Sequence, residues 1–230
     1  MKTLIRTVAV CAVLGTAINL NAQTVTFNPS TYSDAYTYMS WSPTANTLAN
    51  WPGDGGYGAG GWSIAALPAV ISGNQLTLSP NVNTYAPGNT YWTNPDGTGA
   101  NQMDAAIYTE TIGLYVNTSL TFTFNVLANT LAAGYTADAF IKDFGPGYSY
   151  NGEQTVNLTP GVDSVTYTLT GNNPGEIVQY GFELIGPNAN PATVAALGNV
   201  EIVPVPEPTT LALAGLGGFA ALSLIRRRNK

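Results

Sequence analysis

Leu120-Thr121-Phe122-Thr123-Phe124-Asn125-Val126 alternates apolar and polar side chains without a break. Successive side chains of an extended chain point to opposite faces. The segment therefore sets Leu120, Phe122, Phe124 and Val126 against a core, and Thr121, Thr123 and Asn125 toward water. The same period of two runs through Val25-Thr26-Phe27, Leu76-Thr77-Leu78, Val165-Thr166-Tyr167-Thr168-Leu169 and Tyr180-Gly181-Phe182-Glu183-Leu184. Further strands are expected over 35–41, 105–116, 137–144, 154–158 and 199–203, rich in residues that suit a pleated surface. Turn residues separate them, among them Asn28-Pro29-Ser30, Ser72-Gly73-Asn74, Pro146-Gly147, Thr159-Pro160-Gly161, Asn172-Asn173-Pro174-Gly175 and Gly186-Pro187-Asn188. No segment has the period of an amphipathic helix, and 191–197 has room for one helical turn only. The expected fold class is all-β: residues 23–203 form an antiparallel, jelly-roll-like β-sandwich.

Composition narrows what such a body does. Charged residues are 9% of the 230, against a usual figure of about 25%. Histidine is absent, which excludes a Ser-His-Asp triad, a Cys-His dyad and a histidine zinc site. All 13 acidic residues lie between Asp34 and Glu207, where Lys142 is the single basic one, a balance of −12. Such a body repels phosphate backbones, so nucleic acid is not an expected partner. The lone cysteine, Cys11, lies in the N-terminal apolar run, so the body has no disulfide or thiolate site.

The remaining basic residues flank two apolar runs. Lys2 and Arg6 precede the apolar stretch Val8–Ile18, and residues 1–22 read as a secretory signal peptide cut after Ala22 or Ala17. At the other end, 204–208 is a proline-rich segment containing Val205-Pro206-Glu207-Pro208. Two prolines flanking a glutamate hold the chain extended, the form in which a protease cleft holds its substrate. Residues 209–225 carry no charge and span roughly 25 Å as a helix, the short end of a transmembrane helix. Arg226, Arg227 and Arg228 open the basic tail, 226–230, and place it on the cytoplasmic side. A Pro-Glu-Pro triple, a glycine-containing apolar helix and a terminal arginine cluster, in that order, resemble the PEP-CTERM sorting signal of Gram-negative bacteria. The resemblance implies an exosortase-type membrane enzyme as partner and a transient inner-membrane intermediate. It also implies delivery to the cell surface or extracellular polysaccharide matrix.

The body's strand order and apolar pattern, closing on Gly198-Asn199-Val200-Glu201-Ile202, resemble the galactose-binding-like jelly roll of carbohydrate-binding modules. Asn199 stands where that family often has an aspartate, which departs from a calcium role there. Aromatic residues in loops are the candidate glycan contacts: Trp51, Tyr57 and Trp62 in a run with six glycines, and Tyr91 and Trp92 ahead of Asn94-Pro95-Asp96-Gly97. Flat ring faces stack on the C–H faces of sugars. The competing reading has these rings packed over the sandwich ends. Asp96, Asn101 and Asp104 fall within nine residues and offer oxygen donors of the kind calcium takes. Structural calcium there is the one exception to an expectation of no cofactor. The expected role is non-enzymatic, structural or adhesive within extracellular polysaccharide. The alternative is a two-carboxylate glycoside hydrolase, for which no acid pair stands out.

Overall fold

Two β-sheets face each other across one core in the structure, a computed structural model that describes residues 22–30, 36–43, 67–171 and 174–206. Most of the expected signal segment, Trp51, Tyr57, Trp62, Glu207, Pro208, the expected span 209–225 and Arg226, Arg227 and Arg228 lie outside the described residues. Among the described residues no helix is long and apolar enough to cross a membrane.

The strands are β1 (Ala22–Thr26), β2 (Tyr36–Pro43), β3 (Ala69–Ser72), β4 (Gln75–Leu78), β5 (Asn101–Ile112) and β6 (Ser119–Asn129). They continue as β7 (Thr136–Gly145), β8 (Ser149–Asn157), β9 (Gly161–Thr168), β10 (Ile177–Pro187) and β11 (Val200–Val203). A 3-10 turn, Val194–Leu197, falls within the stretch expected to hold one helical turn.

The alternating stretch that opens the sequence reading is the organising strand of the first sheet. One edge of β6 pairs with β9. Its other edge is shared by β1, against Ser119–Thr123, and β11, against Asn125–Asn129. The sheet continues through β4 to β3. β1 runs parallel to β6, a departure from the all-antiparallel expectation. β11 covers only the second half of that edge, and the N-terminal strand satisfies the backbone groups of the first half. The second sheet, ordered β2-β5-β10-β7-β8, is antiparallel throughout.

Between the sheets, Leu120, Phe122, Phe124 and Val126 are at most 2% exposed, as the alternation requires. Phe122, Phe124 and Phe182 lie with ring centroids 5.2–5.6 Å apart, and Phe27 meets Phe182 edge-on at 5.2 Å. Full burial of each such ring contributes about 1.5–3 kcal/mol. Outside, threonine hydroxyls pair across strands: Thr26 with Thr123 at 3.0 Å and Thr121 with Thr166 at 2.9 Å.

β3 is an addition to the expected strands. It forms a hairpin with β4 through Ser72-Gly73-Asn74, where Gly73 has φ +59°. β5 begins and ends four residues earlier than the expected 105–116, because Gly113, at φ +66°, turns the chain directly after Ile112.

Candidate functional site

The outer face of the second sheet carries most of the chemistry. Along β10 the inward positions Val178, Phe182 and Leu184 join the core, which leaves Gln179, Gly181, Glu183 and Ile185 on the outer side. In register with them stand Tyr108 and Glu110 on β5, and Asp138, Phe140 and Lys142 on β7. Gly181 lies level with both Tyr108 and Phe140, whose ring centroids approach to 6.1 Å. A Cβ at Gly181 would collide with the backbone and side chain at Ile107 and Tyr108, so only glycine lets the strands and rings sit this close.

The aromatic row continues to β2, where Tyr36 stacks on Tyr108 at 5.9 Å with planes 17° apart. At the far side, the β7–β8 turn curls over the face. Phe144 meets Tyr148 edge-on at 6.0 Å and Tyr150 at 5.9 Å. Tyr148 donates its hydroxyl to Glu110 Oε1 at 2.9 Å, and Gln179 Nε2 donates to Glu110 Oε2 at 2.8 Å. Tyr148 has φ +62°, a left-handed backbone that costs a bulky residue strain. Tyr36, Tyr148 and Tyr150 are each more than half exposed.

Beside the rings lies an acidic cluster around one cation. Lys142 Nζ is 3.1 Å from Glu183 Oε2, 4.0 Å from Glu153 Oε2, and 4.5 Å from the centre of the Phe140 ring. Burial alone would disfavour the ammonium, but Glu183, then Asp104 and Glu153, outweigh it and hold its pKa above the usual lysine range. Asp138, directly opposite Glu183, has its carboxyl pushed up to about 6 by burial and then by Glu183. Five acids, Asp104, Glu110, Asp138, Glu153 and Glu183, thus share this face with one lysine, which Glu183, Asp104 and Glu153 stabilise.

The expected loop aromatics divide. Tyr91 and Trp92 meet edge-on at 4.8 Å. Tyr91 is exposed, while Trp92 is half-buried and packs on the core. Their backbone is pinned: Asn101 Nδ2 donates to the Tyr91 carbonyl at 2.7 Å, and Asn188 Nδ2 to the Trp92 carbonyl at 2.8 Å. Asp96 stands in an exposed turn, where its Oδ1 accepts from the Thr98 amide and hydroxyl and its pKa is lowered by those bonds. Asn101 and Asp104, three residues apart on β5, take opposite faces of the strand, so the structure does not bring Asp96, Asn101 and Asp104 together. Among the described residues no three Asp, Glu, His or Cys side chains converge as a metal site.

At the exit of β11, Val203, Pro204, Val205 and Pro206 line a shallow cleft together with Thr26, Phe27, Asn28 and Asn74. Val205 is half-buried and Pro206 exposed.

Residues 204–228 match the family model described as the PEP-CTERM protein-sorting motif. A solved structure titled "CBM4 structure and function" matches with a TM-score of 0.28 and 16% identity, over 63% of this chain and 84% of that one. No curated protein matches.

Proposed function

Because the chain carries a PEP-CTERM sorting motif at 204–228, and so bears the mark of an exported surface or extracellular protein, we propose that it is delivered to the extracellular polysaccharide layer and holds to it through the outer face of its second sheet. In this reading residues 1–22 direct export and 209–225 anchor the chain in the inner membrane with Arg226, Arg227 and Arg228 inside. An exosortase-type enzyme then processes it near Pro206-Glu207-Pro208. The body is a jelly-roll-like, non-catalytic module with a structural or adhesive role.

The exposed tyrosine row supports this best. Tyr36, Tyr108, Tyr148 and Tyr150 present ring faces and hydroxyls on a rigid sheet, with Glu110 and Gln179 between them. Sugars offer both C–H faces to stack and hydroxyls to bond. The strained backbone at Tyr148 points the same way, since glycine would hold that turn at lower cost. The five-to-one excess of acids favours a neutral glycan over an anionic one.

The test is co-sedimentation of the protein with purified polysaccharides. Binding to a neutral polymer should fall at least tenfold in the double variant Tyr36→Ala/Tyr150→Ala. Undiminished binding by that variant would refute the sheet-face assignment.

One observation favours a second reading. Asp138 has its carboxyl pushed up to about 6 and stands opposite a second carboxylate, the pairing a glycoside hydrolase uses. Against it, Glu183 is already ion-paired to Lys142 and is unavailable as nucleophile or base. Release of reducing sugar by the wild-type chain, lost in Asp138→Asn, would favour that reading instead.

A further inference from the structure

The turn that carries Tyr148 and Tyr150 rests at its base on a second pair of acids, Asp143 and Glu176. Asp143 lies on the opposite side of β7 from Lys142 and is 0% exposed; Glu176 is 2% exposed. β7 and β8 slip register here. Asp143 stands opposite Gly152 and Phe144 opposite Tyr150, so Asn151 is the extra residue of a bulge. Its side-chain amide donates to Glu176 Oε1 at 2.7 Å and lies 3.5 Å from Asp143 Oδ1. Glu176 folds in just before β10, over Gly171, where a Cβ would overlap its carboxylate. Both stems of the turn and the entry to β10 therefore meet at one polar cluster.

Asp143 and Glu176 are hydrogen-bonded to each other. An ionised carboxylate only accepts, so the bond between them contains a proton. Asp143 Oδ2 is buried and finds no donor among the described residues. The other groups facing Asp143 are the Asn151 amide, the Thr170 backbone and the Tyr167 phenol on β9, which burial and then the charge of Asp143 hold above its ordinary pKa. None of them is a cation. Lys142, the only Lys or Arg among the described residues, is held by Glu183 and Glu153 on the outer face. Without the proton, two like charges would meet out of water. The turn above needs such a clasp, because the left-handed backbone of Tyr148 persists only where its surroundings over-determine it.

Resting on the assignment of polysaccharide binding to this face, we propose that one proton shared by Asp143 and Glu176 clasps the base of the β7–β8 turn and thereby switches the binding face. While the proton is bound, Tyr148 and Tyr150 are held in place. Once it passes to solvent, the acids repel and the turn loosens. Burial, then the hydrogen bond to Glu176 and its charge, push the Asp143 carboxyl up to about 6. The clasp is closed below that pH and opens as pH rises through it.

The test follows hydrogen exchange of residues 144–150 in the full chain in detergent, at about pH 5 and about pH 8, corrected for intrinsic rates. Protection in the wild type should fall roughly tenfold at the higher pH. Asp143→Asn gives Glu176 a permanent N–H donor and should keep the turn protected at both. Binding to a neutral polysaccharide should weaken with the turn, roughly tenfold, in the wild type and persist in Asp143→Asn. Wild-type protection that ignores pH, or Asp143→Asn exchange that follows the wild type, would overturn the clasp. A turn that loosens while binding stays constant would overturn the switch. A turn that loosens in a chain binding no polysaccharide at either pH would uphold the clasp and refute the sheet-face assignment instead.

Discussion

Lys142 is where a single side chain carries the most. Its ammonium compensates Glu183, whose side chain is 7% exposed. Lys142→Met leaves that carboxylate buried alone and should cost about 3–5 kcal/mol in urea unfolding. Adding Glu183→Gln should restore most of the loss, whereas an additive double variant would show that the two do not act as a pair. Tyr148 makes the opposite trade. Tyr148→Gly relieves the left-handed backbone and should leave stability unchanged or raised by up to about 1 kcal/mol, while weakening polysaccharide binding. A Tyr148→Gly chain that binds as tightly as wild type would remove Tyr148 from the site. The acids set the pH response. Asp138 and Asp143 both have folded-state pKa values raised to about 6, so the native chain holds more protons than the unfolded one between about pH 4 and 6. Their contribution to stability is greatest below that window and is lost as pH rises through it. The urea midpoint of Asp138→Asn/Asp143→Asn should lack this decline. An identical pH profile in wild type and variant would contradict the assignment.

At the scale of elements, strands with one face in the core were legible. In β6 each residue reports its own side, because the outer row is threonine and the inner row is leucine, phenylalanine and valine. Phe122→Ala, at the centre of the ring cluster, should cost about 3–5 kcal/mol in unfolding free energy. β3 escaped the reading because four residues, Ala-Val-Ile-Ser, are too short to show a period. The parallel placement of β1 escaped it because alternation carries no strand direction. The tyrosine face was hidden for a related reason. On β5 and β10 both sides are largely buried, so Tyr108 and Phe182 read alike although one faces outward and the other the core. Their place in a loop ahead of Asn94-Pro95-Asp96-Gly97 drew attention to Tyr91 and Trp92, yet asparagine side chains pin that loop's backbone and Trp92 lies against the core. One signal was available: Lys142, the only basic residue of the body, sits in the apolar run Ala139–Phe144, where a charge needs buried partners.

For the whole molecule, the distribution of charge was readable from end to end. The match at 204–228 agrees with the reading of the proline-rich segment and the arginine-ended apolar tail as a PEP-CTERM sorting signal. The fold adds that the chain leaves β11 beside the end of β1 and reaches solvent at Pro206. The most direct test of delivery and attachment together is to isolate extracellular polysaccharide from host cultures and quantify the protein bound to it. The wild-type chain should be present there, shortened by removal of the tail. The chain with Pro206-Glu207-Pro208 replaced by alanines should be absent from the polysaccharide and retained at full length in the membrane fraction. Recovery of that alanine variant on the polysaccharide at the wild-type level would contradict the account.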